Sequence, residues 1–243
     1  MTGRAVLIIA LLCLPLDIET FSQPDILRYN VVWNTPSDDS FGSMPLGNGD
    51  IGLNVWVEKS GDLVFYISKV DAFDAGHFLP KLGRVRLRTE PALPVDQFKQ
   101  TLSLIDASVM IEAGDARFRV WVDANQPMIR VEGLSRIPRT ATISLETLCP
   151  LVDAAEPLPQ AGTVGLLFDD QEDRLAWCYC NQSSSWSEKF RDQNTPELVA
   201  RTKDPVLHRT SGCLLQAKGF TRENPTRLKR KKASTSFDCS VKS

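Results

Sequence analysis

Histidine is scarce in this chain. Its 243 residues hold two, His77 and His208. A histidine-based metal site would need both of them plus carboxylates, so no metal and no cofactor are expected. The signatures of common hydrolases are missing as well: no Gly-x-Ser-x-Gly, no His-Glu-x-x-His and no Ser/His/Asp spacing occurs. No long stretch repeats with a period of 3.6 residues, which excludes a helical bundle. A dominant charge is lacking too. Lys and Arg number 28 against 30 Asp and Glu, for a net charge of −2, which argues against a nucleic-acid partner. No Cys-x-x-Cys is present. Cys178 and Cys180 stand two apart, on one face of an expected strand, and have no second pair with which to build a zinc site.

The first residues read as a leader. Arg4 supplies a positive start, and Ala5 to Leu14 forms an apolar run too short to span a bilayer. Thr20-Phe21-Ser22 offers small residues for cleavage, so residues 1–22 are expected to be a signal peptide. The mature chain would then be secreted or periplasmic, with no membrane contact after cleavage. Export permits disulfides. Without Cys13 five cysteines remain, so at least one thiol stays unpaired or pairs between chains. Cys178 and Cys180 read first as buried thiols and second as partners of a distant cysteine.

Most of the remaining chain alternates with a period of two. The organising stretch is Val31 to Asp71. Its centre, Gly47-Asn48-Gly49-Asp50-Ile51-Gly52, carries the letters of a dinucleotide-binding turn, and Asp71 lies where a ribose ligand would follow. The context rejects that reading, because the fingerprint needs a strand before it and a helix after it. Here Pro45 precedes the glycines. Leu53 to Val57, then Lys59 to Asp62, then Leu63 to Ile67 read as strand, turn and strand. The glycines are expected to form a tight corner into a β-hairpin.

Strand signals continue. Val85 and Leu87 alternate with Arg84, Arg86 and Arg88, so one face packs and the other meets water or a ligand. Ser108 to Ile111 and Phe118 to Val122 flank the turn Glu112-Ala-Gly-Asp115. Met128 to Glu132 and Ala141 to Glu146 follow. The expected fold is all-β, an antiparallel β-sandwich over residues 23–221. Its core would hold Leu53, Val55, Val57, Phe65, Ile67, Val85, Leu87, Ile111, Val120, Val122, Ile129 and Ile143. Cys149 to Gly165 is rich in proline and reads as a loop. Asp169 to Asp173 is acidic but lacks the spacing of a calcium loop, so a solvated turn is expected. Arg174 to Asn181 reads as a strand, and Asn181-Gln-Ser183 is an open glycosylation sequon. Thr195-Pro196-Glu197 starts one short helix. Arg227-Leu-Lys-Arg-Lys-Lys232 suggests that residues 222–243 form a basic, disordered tail.

Sugar rings stack on aromatic faces, and their hydroxyls need planar polar partners. Trp33, Asn48, Asp50 and Trp186 are therefore candidates for a carbohydrate site, and Asn48→Ala would weaken binding there without unfolding. Asp71 and His208 join them as substrate-binding candidates; no residue is assigned a catalytic role, and only a complete enzyme would use Asp50, Asp71 or His208 as acid or base. Each has a plainer reading beside it. Asn48 and Asp50 satisfy turns through their own backbone, Trp33 packs at an edge, Trp186 anchors a loop, Lys69 and Asp71 form an ion pair at a strand end, and His208 is structural.

The residues also carry a resemblance. Trp33 with Ser43-Met-Pro-Leu-Gly-Asn-Gly-Asp-Ile-Gly-Leu-Asn-Val-Trp56 resembles the N-terminus of the family of domains of unknown function numbered 5703. It is more distantly similar to the N-terminal domain of glycoside hydrolase family 95, the α-L-fucosidases. Tyr66 to Asp71, Leu82 to Arg86, Val120 to Asn125 with Pro127, and Asp204 to Thr210 add to it, over about Tyr29 to Phe220. The resemblance implies a supersandwich, a large β-sandwich that precedes an (α/α)6 barrel. In the fucosidases the acid and base groups come from that barrel, so the implied partner is a catalytic domain outside this chain. The sandwich is then incomplete at its C-terminus, and three functions stand side by side: the N-terminal sandwich of a glycoside-hydrolase-like protein, a stand-alone sugar-binding module, or a complete enzyme using Asp50, Asp71 or His208.

Overall fold

A computed structural model describes residues 25–147, 151–153, 162–168 and 172–243. The expected signal peptide, Cys149, the proline-rich run 154–161 and most of the acidic cluster at 169–173 lie outside the described residues.

The chain is mostly antiparallel β-sheet in two facing layers that share two long strands. The first layer begins at the edge with β1 (Val31–Trp33). The second begins with β2 (Met44–Gly47), β3 (Ile51–Val57), β4 (Leu63–Lys69) and β5 (Gly83–Glu90). The first continues through β6 (Phe98–Ser103), β7 (Ser108–Ala113) and β8 (Ala116–Val122) to β9 (Met128–Glu146). β9 belongs to both layers. Its first half pairs with β8, Val120 opposite Val131, and its second half with β5, Leu87 opposite Ile143.

The first layer is completed by β10 (Leu151–Asp153), β11 (Thr163–Phe168), β12 (Arg174–Asn181) and β13 (Thr210–Ala217). β14 (Thr221–Asn224) turns back into β15 (Arg227–Lys242), which runs along the whole of β9 and crosses between layers with it. The expected basic tail is therefore the second shared strand. The charged run misleads because it occupies one end only. Within it Leu228 is buried, and near the other end Phe237, Cys239 and Val241 point inward at every second position and are buried. Their burial outweighs a few solvated cations.

β2 and β3 face β7 and β8 across the core. All twelve core residues expected from periodicity are buried, and Phe118 meets Phe237 at 5.6 Å to join β8 to β15. Helix enters differently from expectation. Pro196–Arg201 is a short 3-10 turn, and the one α-helix among the described residues, α1 (Trp186–Asp192), lies earlier, where Ser184 Oγ accepts the Trp186 N–H. Leu151–Asp153 and Thr163–Phe168 are parallel strands within the stretch read as a loop.

Candidate functional site

The glycine corner joins β2 to β3. Gly47 pairs with Gly52, and Asn48 N–H donates to the Ile51 carbonyl at 3.2 Å. Gly49 sits at φ 91°, a left-handed conformation that glycine adopts without strain. The Asn48 side chain is fully used. Its Oδ1 accepts from Asp50 N–H (3.0 Å) and Ile51 N–H (2.8 Å), while its Nδ2 donates to the Asp123 carbonyl (2.8 Å) and the Gln126 carbonyl (3.3 Å). Asn48 thus ties the corner to the turn between β8 and β9, and it keeps no donor for a ligand. Removing it breaks the corner, so the expectation that Asn48→Ala spares the fold is revised.

Asp50 leaves the corner toward β4. Lys69 Nζ bonds both of its oxygens, at 2.6 and 2.7 Å, because Ile51 and Lys69 are paired across the strands. Asp71 lies 3.9 Å from the same ammonium and accepts from Arg209 Nη2 at 2.7 Å. The result is a row of alternating charge, Asp50–Lys69–Asp71–Arg209. The Arg209 hydrogen bond, outweighing partial burial and helped by Lys69, holds the Asp71 carboxyl below the usual carboxylate range. A general acid at neutral pH needs the opposite shift.

A groove of 460 Å³ runs beside this row, lined by Gly49, Asp50, Gly52, Ser68, Lys69, Leu79 and Lys81 among others. Lys81 Nζ donates to Ser68 Oγ at 2.9 Å and to Asn54 Oδ1 at 3.3 Å. The floor is thus bare backbone at the glycines, the walls carry ammonium, carboxylate and hydroxyl groups, and Leu79 gives one apolar side. Val70, Phe73, Phe78 and Leu79 are all exposed on the loop that borders it.

Trp186 lies across that loop, within α1. His77 stacks on its ring at 5.5 Å, and Phe190 meets it edge-on at 4.9 Å. His77 Nε2 is 3.3 Å from Ser184 Oγ, and Ser184 in turn hydrogen-bonds Asp204. These three residue types form no nucleophile triad, because the serine stands between the other two. A triad needs the carboxylate on the far nitrogen of the histidine. Burial disfavours the Asp204 charge, but the Val206 and Leu207 amides and the Ser184 hydroxyl outweigh it and lower its carboxyl.

His208 is exposed, at φ 62°, and donates its backbone N–H to the Asn181 carbonyl at 3.0 Å. Its neighbour Arg209 is the residue that reaches Asp71. Trp33 is half-buried against the core. The structure therefore unites Asp50 and Asp71 through Lys69, while the Trp186 ring packs on His77 and Phe190. Sequence reasoning did not assign Ser68, Leu79 or Lys81 to a site; Ser68 lies in the Tyr66–Asp71 stretch of the resemblance, and no motif marks Leu79 and Lys81. The asparagine of the open sequon, Asn181, has a structural use that three residues of sequence do not reveal. That side chain is 1% exposed, and its Nδ2 donates to the Phe73 and Val206 carbonyls at 2.9 and 3.0 Å. In the folded chain it is a clamp for two loops and not a glycan acceptor. Among the described residues no group of three His, Cys, Asp or Glu side chains could hold a metal ion.

The family model for a domain of unknown function (DUF5703) matches residues 32–240. The chain belongs to this family. In the DUF5703 domain the match reaches through β15, so the basic segment is part of the fold and not an appendage. No curated protein matches the chain.

Proposed function

We propose that this DUF5703 domain is the N-terminal, non-catalytic β-sandwich of an exported carbohydrate-active protein of the glycoside-hydrolase type, and that it binds sugar in the groove at the glycine corner. The observation that carries this reading is the groove itself. Hydroxyl-rich rings need donors and acceptors set close together, and Lys69, Lys81, Ser68 and Asp50 provide both around backbone that no side chain shields. The pairing of Asp50 and Asp71 with cations supports binding over hydrolysis, since cleavage of a glycosidic bond needs one carboxyl kept protonated.

A stand-alone sugar-binding module is the second reading. Val70, Phe78 and Leu79, at 58%, 68% and 53% exposure, favour the first, because three large apolar side chains on one loop are better explained by a covering domain. An (α/α)6 catalytic domain is the partner this reading supplies. Export rests on the leader at residues 1–22. The core thiols suit it, since burial pushes Cys213 and Cys239 up to about 12 and leaves little reactive thiolate.

Calorimetry of the purified chain against a panel of neutral mono- and oligosaccharides tests the reading. Binding is expected, and Lys81→Met is expected to remove it with the unfolding temperature unchanged. Absence of binding to every sugar sinks the proposal. Turnover of an aryl glycoside that disappears in Asp50→Asn overturns its non-catalytic half.

A further inference from the structure

The basic run that sequence singled out has a place in the fold that the groove does not use. On the outer face of the second layer, three adjacent strands present matching rows. Arg86 of β5, Ser144 of β9 and Arg227 of β15 stand in register, and so do Arg88, Thr142 and Lys229. The central strand offers hydroxyls and the flanking strands offer cations. Between them lies a trough of 360 Å³ lined by Arg86, Arg88, Thr142, Ser144 and Arg227 among others, and by one carboxylate, Glu146, which Arg84 and Arg86 neutralise.

Most of the charge in these rows is already paired, and what remains is specific. Arg86 is spent: it contacts Glu58 at 2.6 Å, Asp62 at 2.9 Å and Glu146 at 2.5 Å. Arg84 also pairs with Glu146. Arg88 uses Nε and Nη2 on Asp62, which leaves Nη1 without a bond among the described residues. Arg227 uses Nε on Ser144 at 3.3 Å and Nη1 on Glu223 at 3.4 Å, which leaves Nη2. Among the described residues the Lys229 ammonium meets only Glu223, at 3.1 Å. Five cations thus face four carboxylates (Glu58, Asp62, Glu146, Glu223), and Asp62 is buried and closed to any ligand. On a chain of net charge −2 this is a local positive excess.

We infer that this trough binds an acidic glycan, with its carboxylate or sulfate groups on the free edges of Arg88 and Arg227 and its hydroxyls on Ser144 and Thr142. Guanidinium edges match planar or tetrahedral oxyanions, and the hydroxyl strip matches a sugar between two such groups. An acidic peptide fits less well. Peptides add to sheets through free strand edges, and the floor of the trough has none: β9 is paired with β5 and β15, and the Arg227–Lys229 end of β15 is paired with β14. The site lies on strands apart from the glycine corner and does not depend on the reading of that groove.

The test uses the full chain and four probes: oligogalacturonate, dextran sulfate, neutral dextran and poly-glutamate. Calorimetry is expected to show binding of the acidic glycans that weakens as salt rises to about 0.3 M, since these contacts are partly exposed. The carboxylated and sulfated probes distinguish which oxyanion is preferred. Arg88→Gln with Arg227→Gln is expected to weaken binding about tenfold, and Ser144→Val several-fold with charge unchanged. Lys81→Met is expected to leave it intact, which separates this site from the groove. Arg227→Gln alone serves if the double variant unfolds, because Arg227 reaches none of the buried acids. Equal binding of neutral dextran, equal binding of poly-glutamate, or acidic-glycan binding untouched by Arg227→Gln overturns the inference.

Discussion

The glycine corner and the arginine rows are both polar, and they are polar in different ways. At the corner, contacts within one hairpin dominate, and only the Asn48 amide reaches far along the chain, to the Asp123 and Gln126 carbonyls. Asn48 bonds Asp50 and Ile51, and Asp50 meets a lysine on the adjacent strand. At the rows, Arg86, Ser144 and Arg227 come from strands far apart in the chain. The corner spends its polar atoms on shape, which opens a groove beside it. The rows bury one carboxylate and leave guanidinium edges free. Local satisfaction builds geometry, and long-range assembly leaves residual valence.

The largest test of this contrast is Asp62→Ala. The Asp62 side chain is 3% exposed and holds Arg86 and Arg88. Without it Arg86 keeps Glu58 and Glu146, but both arginines lose their charge-assisted bonds to the one buried carboxylate between them, which is expected to cost about 3 kcal/mol in chemical denaturation. Asn48→Ala comes next, at about 2 kcal/mol, for lost bonds to two amides and two carbonyls. If Asn48→Ala proves costlier than Asp62→Ala, the corner and not the rows is the stronger clamp.

Acid sharpens the comparison further. Burial penalises the Asp62 charge, but hydrogen bonds from Arg88 and Arg86 outweigh it, and its carboxyl lies below the usual range, as does that of Asp71. Carboxylates depressed by folding add stability that is complete above their unfolded value of about 3.9 and is lost as pH falls through the folded value. Stability measured against pH is therefore expected to be flat near neutrality and to fall below about pH 4. Asp71→Asn should flatten part of that fall, and a drop already under way at pH 6 would contradict the assignment. The smallest effect belongs to His208→Asn. The ring is exposed and makes no bond among the described residues, so the change is expected to stay within about 0.5 kcal/mol, with sugar binding intact.

Much of the architecture was legible because burial follows a period of two. Val55, Phe65, Val85 and Val120 could be assigned to the core from spacing alone, and the glycine corner from its turn residues. The site was legible only where partners are close in sequence. Asp50, Lys69 and Asp71 could be named, but Arg209 as their terminal partner could not, nor could Lys81 beside Ser68. The sequon at Asn181 shows the opposite case. Three residues permit glycosylation, yet burial spends that amide on Phe73 and Val206.

By itself the sequence determined that this chain forms facing β-sheets with a glycine corner, since side-chain alternation and turn chemistry are local properties. Only the tertiary structure decided that Arg227 to Lys242 is a shared strand, that Asn48 and Asn181 are spent inside the protein, and that arginines from β5 and β15 flank one strip of hydroxyls. Pairing between distant strands selects which polar atoms find partners, and no local pattern of residues encodes that choice.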